Sequence, residues 1–384
     1  MNTPRASENV GAQMKKIEKA SLKARSLVLE WSDLSTSEFH FLWLRDNCPQ
    51  LLHPSTNHRV VETSSIPDDL RPSKTHVTVD GNLQIVWTHD GHVSTFAPGW
   101  LQAHDYSGGA RYARRVVKLW DAEAIARSLP DVSYPALLTD DNTRAAFLQG
   151  FIEHGVGILR NVPCEPGTVL DVGRELGELR TTSWGLVFDV VSMENANSVA
   201  YTNLPLVTHT DEGYRDPAPT VQLQHFLRAD ASGGASTLVD GFAIAEDMRR
   251  EAPEQFNLLA STLLHFHFAD ATAEHQAQDS IITLDADGAV KAIRYSNHSA
   301  QPFLLDADIM EPFYAAYREF GRRRENDRYQ LRINMAAGDL YMVDNHRVMH
   351  GRTGFTSGGA RHLQSCYIER DELVSRLMVL KRKG

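Results

Sequence analysis

The chain has 384 residues, with 39 basic and 49 acidic side chains and a formal charge of −10. That balance disfavours nucleic-acid phosphates as partners, and the sequence holds no apolar run of about eighteen residues that would span a membrane. At 42% hydrophobic and 23% charged residues it has the composition of an ordinary globular protein long enough for two domains. Three scattered cysteines (Cys48, Cys164, Cys366) make no disulfide framework. The N-terminal stretch lacks an apolar signal core, so the expected location is cytoplasmic.

Residues 1–26 are polar and basic and read as a flexible arm. Residues 27–103 read as a small β domain. "SLVLEW" and "EFHFLWLRDN" are strand-like runs, and "HVTVDGNLQIVW" places Asp80-Gly81 between two strands, a hairpin signal that Asp90-Gly91 repeats one strand later. Residues 104–117, with Ser107-Gly108-Gly109, read as a linker. From 118 to 384 the pattern predicts a catalytic domain. "DAEAIARSL" and "DNTRAAFLQGFIEHG" read as helices, the second running from an Asp/Asn cap to Gly155. "VGILRNVP" reads as a strand and "GTVLDVGRELGEL" as a helix. Two strand-and-turn regions, roughly 198–243 and 329–370, flank a helical insert containing "GFAIAEDMRREAPEQFNLLAS". The fold class expected is mainly β with decorating helices.

The chemistry begins at "LVTHTDEGYRDP". On a strand, residues two apart share a face, so His209 and Asp211 can aim an imidazole and a carboxylate at one point. An open nitrogen–oxygen pair suits redox-active ferrous iron, with another histidine as third ligand. About 140 residues later, "DNHRVMHGR" offers His346 and His350, a separation a barrel easily bridges. Residue chemistry alone leaves both open.

These segments, with "GGASTLVDGF" and "RHLQSCY", resemble the Fe(II)/2-oxoglutarate dioxygenases of the taurine dioxygenase group, and most closely their γ-butyrobetaine and trimethyllysine hydroxylase branch. "FLWLRDNCP" is similar to the opening of that branch's N-terminal β domain. The resemblance implies a double-stranded β-helix (jelly roll) core and His350 as the third iron ligand. It also implies Arg361 as the group that holds the far carboxylate of 2-oxoglutarate, through the planar fork a guanidinium presents. Ser236 or Thr237 is expected to assist.

The resemblance further implies an aromatic cage for a quaternary ammonium, which has no N–H to donate and is recognised by ring faces. Trp184, Phe188, Tyr201, Tyr214 and Tyr367 fall on the matching positions. For the substrate's anionic end the candidates are Asn297, His298 and Ser198, the last where the γ-butyrobetaine enzymes carry asparagine, with Arg215 and Arg294 close in sequence. A hydroxyl there suits a carboxylate or a tetrahedral phosphonate, as in 2-trimethylaminoethylphosphonate. Cys48, His53 and His92, with His58 or His89, are the candidates for a structural zinc in place of the branch's cysteine-rich site, although folding on the β core alone is preferred. The expected activity is hydroxylation of a small trimethylammonium zwitterion with Fe(II), 2-oxoglutarate and O2, releasing succinate and CO2, by a homodimer paired through its N-terminal domain. The competing readings are a dioxygenase of another small acid such as a sulfonate, a zinc hydrolase using the same three ligands, and a non-catalytic betaine-binding module.

Overall fold

The computed structural model describes residues 15–108, 115–191, 202–355 and 360–383. The chain divides into two compact units, Met1–Arg114 and Arg115–Gly384. Among the described residues no helix is long and apolar enough to cross a membrane.

In the first unit, β1 (Ile17–Leu22), β2 (Ser26–Trp31) and β3 (Thr36–His40) form one antiparallel sheet, and β4 (Pro72–Val77), β5 (Leu83–Trp87) and β6 (Val93–Phe96) another. Gly81 and Gly91 take the left-handed conformations the two tight turns require. Leu27, Leu29, Phe39, Leu83, Ile85 and Phe96 build the core from both sheets. Two expectations change here. Residues 17–22, read as part of an arm, form the outer strand β1, held by backbone pairing with β2. "FLWLRD" is a helix, Phe41–Asp46, that buries Phe41, Leu44 and Arg45. The one-turn spacing of those residues decides for helix over strand.

The second unit is a double-stranded β-helix. Its strands are β7 (Asp131–Ser133), β8 (Val156–Arg160), β9 (Leu179–Arg180), β10 (Phe188–Val191), β11 (Leu206–His209), β12 (Val221–Ala229) and β13 (Ser236–Asp240). An insert carries the hairpins β14 (Leu264–Ala269)–β15 (Glu274–Asp279) and β16 (Ile282–Leu284)–β17 (Val290–Ile293). The barrel then resumes with β18 (Gln330–Ile333), β19 (Leu340–Asp344), β20 (Val348–Arg352) and β21 (Arg361–Ile368). The larger sheet runs β10-β21-β12-β19-β8-β7 with β9 on β21, and the smaller runs β11-β20-β13-β18. Ile158, Phe226, Tyr341 and Leu363 of the larger sheet share a core with Leu238, Leu331 and Val348 of the smaller. The outer face of the larger sheet is covered by the helices Asp141–His154, Thr168–Leu176 and Arg370–Lys383, whose apolar residues join Leu223, Met342 and Ile368. Asp140 caps the first of these through Asn142 and Thr143, and Gly155 closes it at φ 76°. The insert is only half helical: Gly241–Glu251, Pro253–Ser261 and Ala307–Glu325 share their core with the two hairpins.

Candidate active site

Strand parity and register place the first cluster. His209 on β11 stands opposite His350 on β20, and His350 in turn stands opposite Leu238 on β13. Cross-strand partners share a face, so both imidazoles enter the barrel interior with Leu238. Asp211, two residues beyond His209, completes the group: its Oδ1 is 3.1 Å from His209 Nε2 and its Oδ2 is 3.5 Å from His350 Nε2. Among the described residues this is the group of three metal-capable side chains, with ligand atoms all within 4.8 Å of one another. His346 is elsewhere; its Nε2 meets the Ala218 carbonyl at 3.1 Å.

The surroundings orient each of the three side chains. His209 Nδ1 lies 2.9 Å from the Val207 carbonyl, which leaves Nε2 facing the group, as metal-binding histidines require. Gln222 and Tyr367 donate to Asp211 Oδ2 at 2.6 and 2.7 Å. Asn345, fully buried, accepts from the Asp211 N–H at 2.7 Å and donates to its carbonyl at 3.0 Å. Burial opposes ionisation of Asp211, but the His350 and His209 imidazoles overcome it and hold the carboxyl well below its usual range. Burial raises the Tyr367 phenol, reinforced by Asp211, so it remains a neutral donor. Two imidazoles and one carboxylate with open sides are the donor set that suits ferrous iron.

A cavity of about 510 Å³ opens on this cluster. β21 sets its long axis: Arg361, Leu363, Ser365 and Tyr367 alternate with Cys366 and Ile368, which join the outer core. Arg361 and Tyr367 therefore lie on one face six residues apart, about 20 Å of strand. Arg361 lines the cavity, flanked by the rings of Phe226 at 5.3 Å and Phe355 at 5.5 Å, with no carboxylate pairing it among the described residues. Burial lowers its pKa. Burial and the neighbouring Arg361 bring that of Arg352 down to about 10. Both stay cationic at neutral pH, so this end attracts an anion. Of the two hydroxyl candidates, Ser236 pairs with Arg352 and shares the interior face of His350, whereas Thr237 pairs with Gly351 and faces the other way. Neither borders the cavity itself; Tyr341, Gln224 and Arg352 do.

The other end is aromatic. Trp184, Phe188, Tyr214 and Tyr367 all line the cavity, with Phe188 5.8 Å from Tyr367 and 6.5 Å from Trp184 between ring centroids. Tyr201 and Ser198 lie outside the described residues. Glu212 borders the same end; burial lifts its carboxyl to about 7 while Arg215, 2.5 Å away, pulls it down. His298 lines the cavity edge-on to His209, 5.7 Å away. Asn297 does not: it is exposed, and its Oδ1 accepts from the Tyr317 hydroxyl. The Ser296, His298 and Ser299 side chains take its place along the wall. Arg215 and Arg294 are already committed, to Glu212 and to Asp279 (3.0 Å), and neither reaches the cavity.

Sequence reasoning missed Gln222, Asn345, Tyr341, Arg352 and Phe268. Arg352 carries a signal in hindsight, two residues past His350 on the same face of β20; Gln222 and Tyr341 face inward on β12 and β19, strands that hold no predicted site residue, and Asn345 lies in the turn before β20. Phe268 sits in the insert, where no such anchor exists. In the N-terminal unit Cys48 Sγ meets His92 Nε2 at 3.3 Å and Gln50 Oε1 at 3.2 Å. His53, in an exposed turn, bonds Ser55 at 3.1 Å instead, so Cys48, His53 and His92 do not converge.

With this geometry in hand, residues 115–367 match the family described as "Taurine catabolism dioxygenase TauD, TfdA", and residues 18–102 match "Gamma-butyrobetaine hydroxylase-like, N-terminal". A gamma-butyrobetaine dioxygenase of Pseudomonas sp. (strain AK-1) is 38% identical over 94% of both chains. A trimethyllysine dioxygenase of Meyerozyma guilliermondii is 30% identical over 95% of this chain and 96% of its own. The human gamma-butyrobetaine dioxygenase is 29% identical over 94% and 95%. Among solved structures, the non-heme iron oxygenase OrfP with Fe and alpha-ketoglutaric acid aligns at TM-score 0.47 and 17% identity, covering 65% of this chain and 84% of that one.

Proposed function

The chain belongs to the TauD/TfdA family of Fe(II)/2-oxoglutarate-dependent dioxygenases, and from that premise we propose that it hydroxylates an unactivated C–H of a small trimethylammonium zwitterion whose anion is a carboxylate, as in γ-butyrobetaine, or a phosphonate, as in 2-trimethylaminoethylphosphonate. The observation that carries this reading is the single cavity in which Trp184, Phe188, Tyr214 and Tyr367 share walls with His209, Asp211 and His350. When bound, ferrous iron with 2-oxoglutarate and dioxygen supplies the oxidising power, and 2-oxoglutarate leaves as succinate and CO2.

The chain's own residues do the rest. His209, Asp211 and His350 would hold the metal, kept in place by Val207, Gln222, Tyr367 and Asn345. Arg361 would clamp the distal carboxylate of 2-oxoglutarate, with Arg352 adding to the field and Ser236 behind them. The aromatic end takes the cation through ring faces and the desolvation a closed wall provides. Ser296, His298 and Ser299 offer the anion neutral hydrogen-bond donors, a softer grip than an arginine fork and compatible with either head group. Pinning both ends decides which carbon faces the metal and keeps water away from it. A homodimer belongs to the same proposal, and light scattering that returned a monomer would remove it.

The test is succinate release with ferrous iron and 2-oxoglutarate against γ-butyrobetaine, 2-trimethylaminoethylphosphonate and taurine. Stimulation by one of the trimethylammonium compounds is the expected result. Stimulation by taurine alone would overturn the reading.

A further inference from the structure

We propose that Phe268, on the insert hairpin β14–β15, is a specificity-determining wall of the cation site. This rests on the trimethylammonium reading above and extends it to a residue outside every motif of the barrel.

Leu264, Phe266 and Phe268 share one face of β14, being two residues apart. Leu264 and Phe266 are 2% and 0% exposed in the insert core. Phe268, the last of the row, packs against the edge of that core, half-buried, and also borders the cavity. Core filling accounts for the first two completely, whereas the third keeps a face toward the open volume. There its ring stacks on Tyr214, with centroids 4.9 Å apart and planes at 21°, and stands 5.6 Å from Trp184. A fixed Tyr214–Phe268 stack next to Trp184 presents several π faces and edges to one volume, which is the arrangement a methylated ammonium needs.

The hairpin also ties the aromatic wall to the wall proposed for the substrate's anion. The His267 N–H donates to the Ser299 carbonyl at 2.9 Å, and the Gln301 N–H donates to the His265 carbonyl at 2.8 Å. The strand that carries Phe268 therefore runs hydrogen-bonded beside the segment that carries Ser296, His298 and Ser299. One rigid piece sets the distance from the cation wall to the anion wall. Phe268 accordingly governs both preference for the cation and tolerance of chain length.

The experiment compares γ-butyrobetaine with its uncharged-head isostere 5,5-dimethylhexanoate, which has the same shape and the same carboxylate. Both are assayed by succinate release with ferrous iron and 2-oxoglutarate, on the wild type and on Phe268→Leu and Phe268→Tyr, with thermal unfolding confirming that each variant is folded. The expected result is that Phe268→Leu reduces the kcat/KM preference for the charged compound by about tenfold, chiefly through KM, and that Phe268→Tyr retains it. A folded Phe268→Leu with an unchanged preference overturns this inference and leaves the trimethylammonium reading standing. A wild type that turns over no trimethylammonium compound overturns both.

Discussion

The two ends of the active-site cavity are built by different means. The metal-facing end is a product of backbone pairing. His209, His350, Ser236 and Arg352 sit on three adjacent strands in one register, and Gln222, Arg361 and Tyr367 on two more. Moving any one of these side chains off the interior face would require a register slip, which would flip the whole strand. The aromatic end takes Phe188 and Tyr367 from two paired strands of the larger sheet, and its other side chains from outside both barrel sheets: Trp184 from a turn, Tyr214 from the loop after Asp211, Phe268 from an insert hairpin, His298 from a segment that hairpin braces. The difference teaches where each kind of property is stored. Under the proposed function, reaction type resides in register, and substrate choice resides in loops and inserts that can change without disturbing it.

The sharpest way to break that comparison is at the metal group. His350→Ala removes a ligand that no neighbour can replace. Succinate release is expected to fall by about a thousandfold or more, and Mn2+ binding measured by calorimetry to disappear, while thermal unfolding shows an intact barrel. Retained turnover would mean the register does not carry the chemistry. Next in size is Arg361. Arg361→Ala loses a charge-assisted, bidentate contact and is expected to raise the KM for 2-oxoglutarate by about a hundredfold, Arg361→Lys by about tenfold, with little change in the KM for the zwitterion. If both constants moved together, the two ends would not be separable.

Asn345→Ala tests the support rather than the ligand. It leaves the Asp211 N–H and carbonyl without their partner and is expected to weaken Mn2+ affinity by about tenfold or more with the ligand set unchanged. A last effect falls on stability rather than on activity and concerns the outer face of the same sheet. His225 is fully buried on β12, at the parity opposite to Gln222 and Gln224, and burial pushes its pKa down to about 4. An unfolded histidine titrates near 6.5, so between these values the unfolded chain binds the proton and the folded one does not. The stability of neutral His225 is thus complete above about pH 6.5, declines as pH falls, and is lost by up to about 3 kcal/mol below pH 4. Denaturation midpoints measured across that window should show less loss in His225→Leu than in the wild type. Equal slopes would place the pH dependence elsewhere.

Much of the metal-facing end was legible in the residues because its signals are local. The spacing of His209 and Asp211 puts both side chains within reach of one point, although β11 ends at His209 and Asp211 stands in the bend that follows, and the hairpin turns at Gly81 and Gly91 follow from backbone sterics alone. The resemblance then supplied His350 and Arg361. The chain could not choose between His346 and His350 by itself, because both follow the same predicted strand; His350 lies mid-β20 opposite His209, whereas His346 lies in the turn before it. Likewise Ser236 and Thr237 are chemically interchangeable on paper, and only the register with Arg352 and Gly351 separates them. "FLWLRD" was read as strand-like because a short apolar run suits either element, and the burial of Phe41 and Leu44, one turn apart, made it helical.

The sequence by itself determined the mainly β fold class, through alternation of apolar residues, and the nearness of His209 to Asp211, through their spacing; the aromatic positions were what the resemblance implied. The tertiary structure decided the rest. It withdrew Asn297, Arg215 and Arg294 from the cavity by giving them other partners, separated His53 from Cys48 and His92, and brought Phe268 from the insert to Tyr214. Each of these depends on which distant segments meet, and contact between remote segments is a property of packing that no local spacing encodes.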